Sequence, residues 1–579
     1  MRYTLSCPEP QTHHLHVSLA LDAPVGEVEL FMPVWTPGSY LVREFARHVE
    51  GLEASDEAGR ALPVTRLDKH RWRVEAGGAA RATVRYRVYA NELTVRTSHV
   101  DGTHAFVSPA GVFLGVRGRE DQPHRVVVDA PAGWRVATAL EGGPTEFTAR
   151  DFDELVDSPL EIGTHEVATF EAMGARHELA VWGRGNLDLG RFVADVKRIV
   201  EAHGAFFGGL PYRRYVFIVH LAAKGRGGLE HRDSTVLLIP RHAFADRDGW
   251  EDALGLVSHE FFHLWNVKRL RPAALTPYRY DGEQYTRLLW WFEGATSYYE
   301  GLALVRAGLL SPARWLEGLG RRFTALARTP GAAKLPVDQS SLVSWVKLYR
   351  PDENTGNSAV SYYLKGELVA LALDLALRRA GHSLDEVLRQ LWARHREGGV
   401  PEDGVERLVA ELLGEPAARL LFDRWVRGTG PLEPDLSLVG LRLRHRTSRG
   451  PEDKGGKPAK PEEGTPGWLG AELSSGPRLT VSSVREGSPA WRAGLTAEDE
   501  LVAEGGFRLD KGSLAERLKE RGPGGTLRLT LFRRDELLEV AVPLAAPPED
   551  AAWLEPVDDP SEEQRSAFQS WCGAPWPAR

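Results

Sequence analysis

The chain has 579 residues, 42% of them apolar, enough for several cores and, by length, about four domains. With 72 Lys and Arg against 80 Asp and Glu the net charge is −8, and no basic stripe runs along the sequence, which argues against a nucleic-acid partner. No apolar run approaches the roughly 18 residues of a membrane span, the start Met1–Pro8 lacks the apolar core of a signal peptide, and two cysteines at opposite ends, Cys7 and Cys572, exclude a disulfide framework and point to a reducing cytoplasm.

Residues 1–165 read as a β domain. The runs His14–Leu21, Glu27–Met32 and Ala82–Tyr89 alternate apolar with polar residues or are rich in β-branched and aromatic ones, and Gly and Pro punctuate them as in a sandwich. From 166 to 440 the pattern turns helical, with an amphipathic stretch at Phe192–Phe206, a buried strand at Tyr215–Leu221, and further helices over Glu367–Arg379 and Leu384–Arg396. The segment 441–465 is charged and rich in Gly and Pro; it is expected to be a flexible linker, with an independently folding unit beyond it. In that unit, 466–545, Trp468–Leu473, Leu479–Val484 and Gly487–Leu495 resemble a bacterial PDZ domain. Such a groove takes a C-terminal peptide as an added strand, with Trp468–Gly470 as the carboxylate loop; a fold that only packs against its neighbour is the equal alternative. Residues 546–579 read as an acidic, Pro-rich tail.

The chemistry is carried by His259-Glu260-Phe261-Phe262-His263. Residues four apart stack on one helix face, so the two imidazoles can hold one zinc ion. Glu260, about 100° around the helix, can reach a metal-bound water and take its proton. A third protein ligand is expected, leaving one position for water. Glu283, Glu293 and Glu300 compete for it. Glu293 stands in the aromatic stretch Leu289–Glu300, where a carboxylate is either a ligand or an expensive buried charge; Glu283 lies in a polar run and Glu300 beside Gly301. Glu293 is the expected ligand.

The segments His259–Pro272 (HEFFHLWNVKRLRP), Trp291–Tyr299 (WFEGATSYY), Gly227–Ser234 (GGLEHRDS), Ser361–Gly366 (SYYLKG), Met32–His48 and Asn91–Phe106 together resemble the glycyl aminopeptidase family of gluzincin metallopeptidases with a PDZ domain. The resemblance spans most of the chain in the expected order. It implies a multidomain α+β architecture: an N-terminal β-sandwich-like domain, a thermolysin-like zinc peptidase domain with a helical extension, and a C-terminal PDZ domain. It also implies one zinc per chain. Gly227-Gly228-Leu229-Glu230-His231 looks like the signature of the related alanyl aminopeptidases, in which glycine backbone flanks the substrate and the Glu grips its free α-amino group; His231 stands where those relatives have Asn. Tyr363, spaced from Lys365-Gly366 as in the same relatives, is the implied oxyanion donor, with Tyr362 as the fallback. Some relatives are exported.

The expected function is a zinc aminopeptidase that releases Gly or Ala from peptides with a free N-terminus. His259, His263 and Glu293 bind zinc, Glu260 activates water, Tyr363 stabilises the tetrahedral intermediate, and Glu230 with Gly227 and Gly228 holds the substrate. Arg43 and Arg96 could face the cleft, although surface ion pairing is the commoner role. Two rival readings are a zinc endopeptidase whose substrates the PDZ domain recruits, and a PDZ scaffold with an inactive peptidase domain.

Overall fold

The computed structural model describes residues 1–577 apart from 25, 451, 460–464, 475 and 477. The chain forms two compact units, Met1–Thr286 with Arg389–Glu402, and Arg287–Leu388 with Asp403–Arg579. The division runs through the segment expected to be a single catalytic domain. His259 and His263 belong to the first unit, Glu293 and Tyr363 to the second.

The first unit begins with β layers. His14–Asp22 pairs with both Arg2–Ser6 and Arg81–Tyr89 at the centre of an eight-stranded sheet. Its strict alternation buries Leu15, Val17, Leu19 and Leu21 and turns His14, His16 and Ser18 outward, as the period-two pattern requires. Two four-stranded sheets complete these layers. One of them, containing His104–Val107 and Leu160–Gly163, packs Phe106 and Ala137 against Ala180, Val216 and Ile218 of the next sheet.

That next sheet has five strands in the order Glu166–Ala172, Ala175–Trp182, Arg214–Ala222, Ser234–Pro240, Gly227–Glu230. Arg214–Ala222 runs parallel to both neighbours and is buried on both faces, so apart from His220 its interior reads as a hydrophobic run. Gly227–Glu230 closes the edge antiparallel to Ser234–Pro240, with Glu230 opposite Thr235. Between the β layers and this sheet, the fully buried carboxylate of Glu161 accepts from His104 Nδ1 at 2.8 Å and His220 Nε2 at 2.9 Å. Burial pushes its carboxyl up, but the two imidazoles outweigh that and hold it at about 2.

The helix Arg247–Phe262 follows the sheet. Asp246 caps it by accepting from Gly249 N at 2.8 Å, and every residue from Ala253 to Phe262 except His259 is buried.

The second unit is helical around the hairpin-like pair Gly294–Arg306 and Tyr362–Arg379. These helices touch backbone to backbone. A Cβ on Gly294 would lie 2.4 Å from Gly366 C, and one on Gly366 would lie 2.4 Å from Trp290 O. The glycines after Glu293 and Lys365 are thus the residues that let the two helices cross this closely.

The segment expected to be a linker opens with a strand: Leu441–Arg446 pairs antiparallel with Ala551–Pro556. After it, Asp453 accepts from Arg446 Nη2, Arg449 N and Gly455 N, which orders the first part of the polar stretch; residues 460–464 lie outside the described residues. The expected tail likewise contains this strand and the helix Glu562–Cys572. Trp571 of that helix is fully buried, 4.7 Å from Trp315 between ring centroids, and its Nε1 donates to Tyr298 Oη at 2.6 Å. Polar composition concealed both elements, because one buried tryptophan and one ladder of backbone bonds supply the stability. Between them, residues 469–544 enclose their own core, formed by Leu469, Val481, Leu501, Leu529, Val542 and others. Trp468 N donates to Ala545 O at 2.8 Å, so this module leaves and re-enters the chain at one point.

Excising 469–544 behind a short Gly-Ser connection is therefore expected to leave soluble protein, whereas truncation after residue 466 removes Trp571 and aggregates. Trp571→Ala alone should cost about 3–5 kcal/mol. Denaturant unfolding of the three proteins checks this; a soluble, cooperative truncation product would refute it.

Candidate active site

The edge strand Gly227–Glu230 lies alongside the helix that carries the His-Glu-x-x-His motif. The glycine at 228 is dictated by that neighbour: a Cβ there would sit 2.1 Å from Glu260 Oε1. Glu260 is 5% exposed and Glu230 3%. Ligand atoms of Glu230, Glu260 and His263 all lie within 4.8 Å of one another. Two buried carboxylates thus converge beside an imidazole, and Glu230 Oε1 has no hydrogen-bond partner among the described residues.

A loop of the N-terminal β domain closes over Glu230. Gly38, at φ +86°, approaches so nearly that a Cβ would be 2.4 Å from Glu230 Oε1 and 2.6 Å from Oε2. Nearby in the loop, Trp35 Nε1 donates to Arg279 O at 2.8 Å, and Arg43 donates to Ser39 Oγ through Nε and Nη2. The segment Met32–His48 resembles the family's as a whole, but the glycine's approach to Glu230 follows from no spacing. Arg96 contributes its carbonyl to Ser108 Oγ.

On the motif helix, the His259 and His263 rings are 4.7 Å apart and inclined at 82°. His263 Nδ1 lies 2.9 Å from the Asn266 carbonyl, an acceptor that requires the proton on Nδ1 and leaves the Nε2 lone pair for a ligand.

Behind Glu230 is an ionic hub that the sequence did not reveal. Asp157 Oδ1 accepts from Lys268 Nζ at 2.6 Å and from His231 Nδ1 at 3.1 Å, and its Oδ2 accepts from Arg232 N at 2.8 Å. Burial pushes the Asp157 carboxyl up; Lys268 and His231 outweigh it and hold it well below the usual range. Burial pulls the Lys268 ammonium down, and Asp157 keeps it above its ordinary value. His231, the residue replacing Asn, is therefore part of this hub. Lys268 stands within the motif segment and could have been suspected; Asp157, far back in the chain, carries no sequence signal.

In the second unit Glu293 is 2% exposed at the break between the helices Leu289–Phe292 and Gly294–Arg306. Tyr363 is the second residue of the partner helix Tyr362–Arg379. Burial first, then the Glu293 charge, push its phenol well above the ordinary value, so it remains a hydroxyl donor. Tyr362 stacks on it, centroids 4.9 Å apart. Glu283 is exposed and accepts from Tyr285 Oη, and Glu300 is half-buried.

Gly38→Ala should displace the Glu230 carboxylate and lower kcat/KM by about 100-fold, the scale of a 1 Å misplacement, while metal content stays normal; near wild-type turnover would contradict the contact. For Asp157 the folded carboxyl is depressed, so its stabilisation is present above the unfolded value near 3.8 and is lost as pH falls below it. Asp157→Asn leaves the Lys268 charge buried and unpaired. It should cost about 3–5 kcal/mol at neutral pH and flatten the acid limb of a plot of Tm against pH. A limb as steep as wild type would place the acid-sensitive group elsewhere.

Two family models match the sequence: the Peptidase M61 N-terminal domain over residues 2–164, and the M61 glycyl aminopeptidase over residues 252–369. No curated protein matches. Among solved structures, an aminopeptidase N family protein from Idiomarina loihiensis is 32% identical over 99% of this chain and 99% of its own, with a TM-score of 0.93. An M1 zinc metallopeptidase from Deinococcus radiodurans is 18% identical, covering 75% of this chain and 95% of its own, with a TM-score of 0.48. With a full-length relative at this identity and both halves of the family signature in order, the chain belongs to the M61 glycyl aminopeptidase family and is a metallopeptidase.

Proposed function

We propose that the protein is a zinc aminopeptidase that removes Gly or Ala from peptides with a free N-terminus. The observation that carries this reading is Glu230, a carboxylate 3% exposed, with one oxygen unpartnered among the described residues, set beside the carboxylate of Glu260. A buried acceptor of that kind suits an ammonium group, and the charge-assisted pair fixes the substrate at one residue's depth. Preference for the smallest residues is supported by the family description.

The donor set suits one zinc ion per chain. His259 and His263 offer imidazoles from one helix face, His263 with its tautomer set by Asn266, and Glu293 offers the carboxylate. When bound, zinc supplies Lewis acidity, polarising the scissile carbonyl and acidifying a water. Glu260 takes the water's proton and returns it to the leaving amine. Tyr363 Oη donates a hydrogen bond to the carbonyl oxygen as negative charge develops there, and its raised pKa keeps that proton in place. Gly227 and Gly228 offer edge-strand backbone, with no side chain to obstruct the peptide.

Residues 466–545 are proposed as a PDZ domain whose groove takes a C-terminal peptide. No helix among the described residues is long and apolar enough to cross a membrane. Cytoplasmic residence is proposed on the two cysteines, both unpaired and buried.

The test compares kcat/KM on a glycyl amide and on its N-acetylated form. Wild type is expected to prefer the free amine by about 100-fold or more. Glu230→Ala should lose most of that preference, with zinc retained, and cleave both forms poorly. Wild type cleaving the acetylated substrate equally well would overturn the aminopeptidase reading in favour of an endopeptidase.

A further inference from the structure

A cavity of about 230 Å³ lies in the first unit, lined by the short helix Phe152–Val156, the loop after Glu230, the segment after the motif helix, and residues around 396–399. None of Glu230, His259, Glu260 or His263 lines it. Its walls are unusually rich in ionic groups, and pairing them off leaves a remainder. Arg150 Nε holds Glu154 at 3.1 Å, Arg269 Nη2 holds Asp233 at 2.7 Å, Arg271 Nη2 holds Asp153 at 2.9 Å, and Lys268 holds Asp157 at 2.6 Å. Asp151 is occupied as a helix cap, accepting from Glu154 N at 2.7 Å. At the rim, Arg396 and Glu397 approach only to 3.9 Å.

Arg232 is what remains. Its backbone N–H is bound to Asp157, but its guanidinium makes no hydrogen bond or ion pair among the described residues. It is half-buried in the cavity wall. Burial, then the neighbouring Arg269, lower its proton affinity despite Asp233; Arg150 and Arg271 act in the same direction. A guanidinium cannot shed its charge to escape such a place. Arg150, Arg269 and Arg271 beside it are each paired with a carboxylate, so at this cavity the fork of donors on Arg232 is the one with no protein partner among the described lining residues. Oxygens of a tetrahedral oxyanion match that fork in geometry and charge.

We propose that this cavity binds a phosphate-type oxyanion, free or as a phosphomonoester, on the guanidinium of Arg232. The ligand replaces repulsion between arginines with charge-assisted hydrogen bonds. Through Asp157, which binds both Arg232 N and His231, it lies directly behind the strand that ends in Glu230.

The experiment is thermal unfolding of the zinc-loaded full chain with 0 to about 10 mM inorganic phosphate or glycerol phosphate, against chloride at matched ionic strength. If binding is in the millimolar range, wild type should gain about 2 °C or more. Arg232→Gln should be at least as stable as wild type without anion and should show no anion-specific gain. Arg232→Lys, which keeps the charge without the fork, should show a reduced gain. A response to the monoester but not to inorganic phosphate identifies the monoester as the ligand, and equal responses identify the phosphoryl group alone. Equal gains in wild type and Arg232→Gln, or a gain that vanishes only when zinc is removed, would place the anion elsewhere and overturn the proposal. So would the absence of any gain in wild type.

Discussion

Glycine backbone pressed against carboxylate is the constraint on which the site depends. Glu260 and Glu230 are both buried, and each lies against a position with no room for a methyl group, Gly228 and Gly38 respectively. The contact is steric before it is electrostatic. A close-packed wall limits where each carboxylate can point. The same device recurs in the second unit, where Gly294 and Gly366 bring two helix backbones together and thereby set Glu293 near Tyr363. Directions set by packing cost no reorganisation when substrate arrives, which is the property electrostatic catalysis requires.

Around this rigid centre the first unit neutralises buried charge in closed groups. Glu161 is shared by two histidines from different sheets, and Asp157 by Lys268 and His231. Such groups contribute little net stability by themselves, since desolvation offsets much of the attraction. Their value is geometric. Each ties strands that are distant in sequence to one point, and losing one member leaves the others stranded in a dry interior. Asp157 binds the segment after the motif helix to the end of the edge strand, and so couples the two elements that carry Glu260 and Glu230.

Much of this was legible in the sequence because it is local. The i, i+4 histidines, the buried run Tyr215–Leu221 and the period-two strand His14–Leu21 announce themselves within a single element. Glu230 stood out only through the resemblance of its glycine context to a family signature, and what the structure adds is its burial. What stayed hidden depends on pairs far apart in the chain. Gly38 meets Glu230, Asp157 meets Lys268, and Leu441–Arg446 finds Ala551–Pro556 across an intervening module. Composition also misled at the end of the chain. Residues 546–579 are acidic and Pro-rich on average, yet Trp571 alone, enclosed by Tyr298 and Trp315, makes their helix part of a core.

That late strand and helix impose an order on synthesis. The helices around Trp315 and Tyr298 leave the ribosome well before Ala551–Pro556 and Trp571. At roughly 5–20 residues per second, the pocket for Trp571 and the free edge of Leu441–Arg446 stay open for several seconds while the module between them is made. That module closes on its own core in the meantime, with its two ends already side by side. The nascent chain thus crosses a window in which an apolar pocket and an unpaired strand are exposed together, and only the arrival of Ala551–Pro556 and Trp571 seals them.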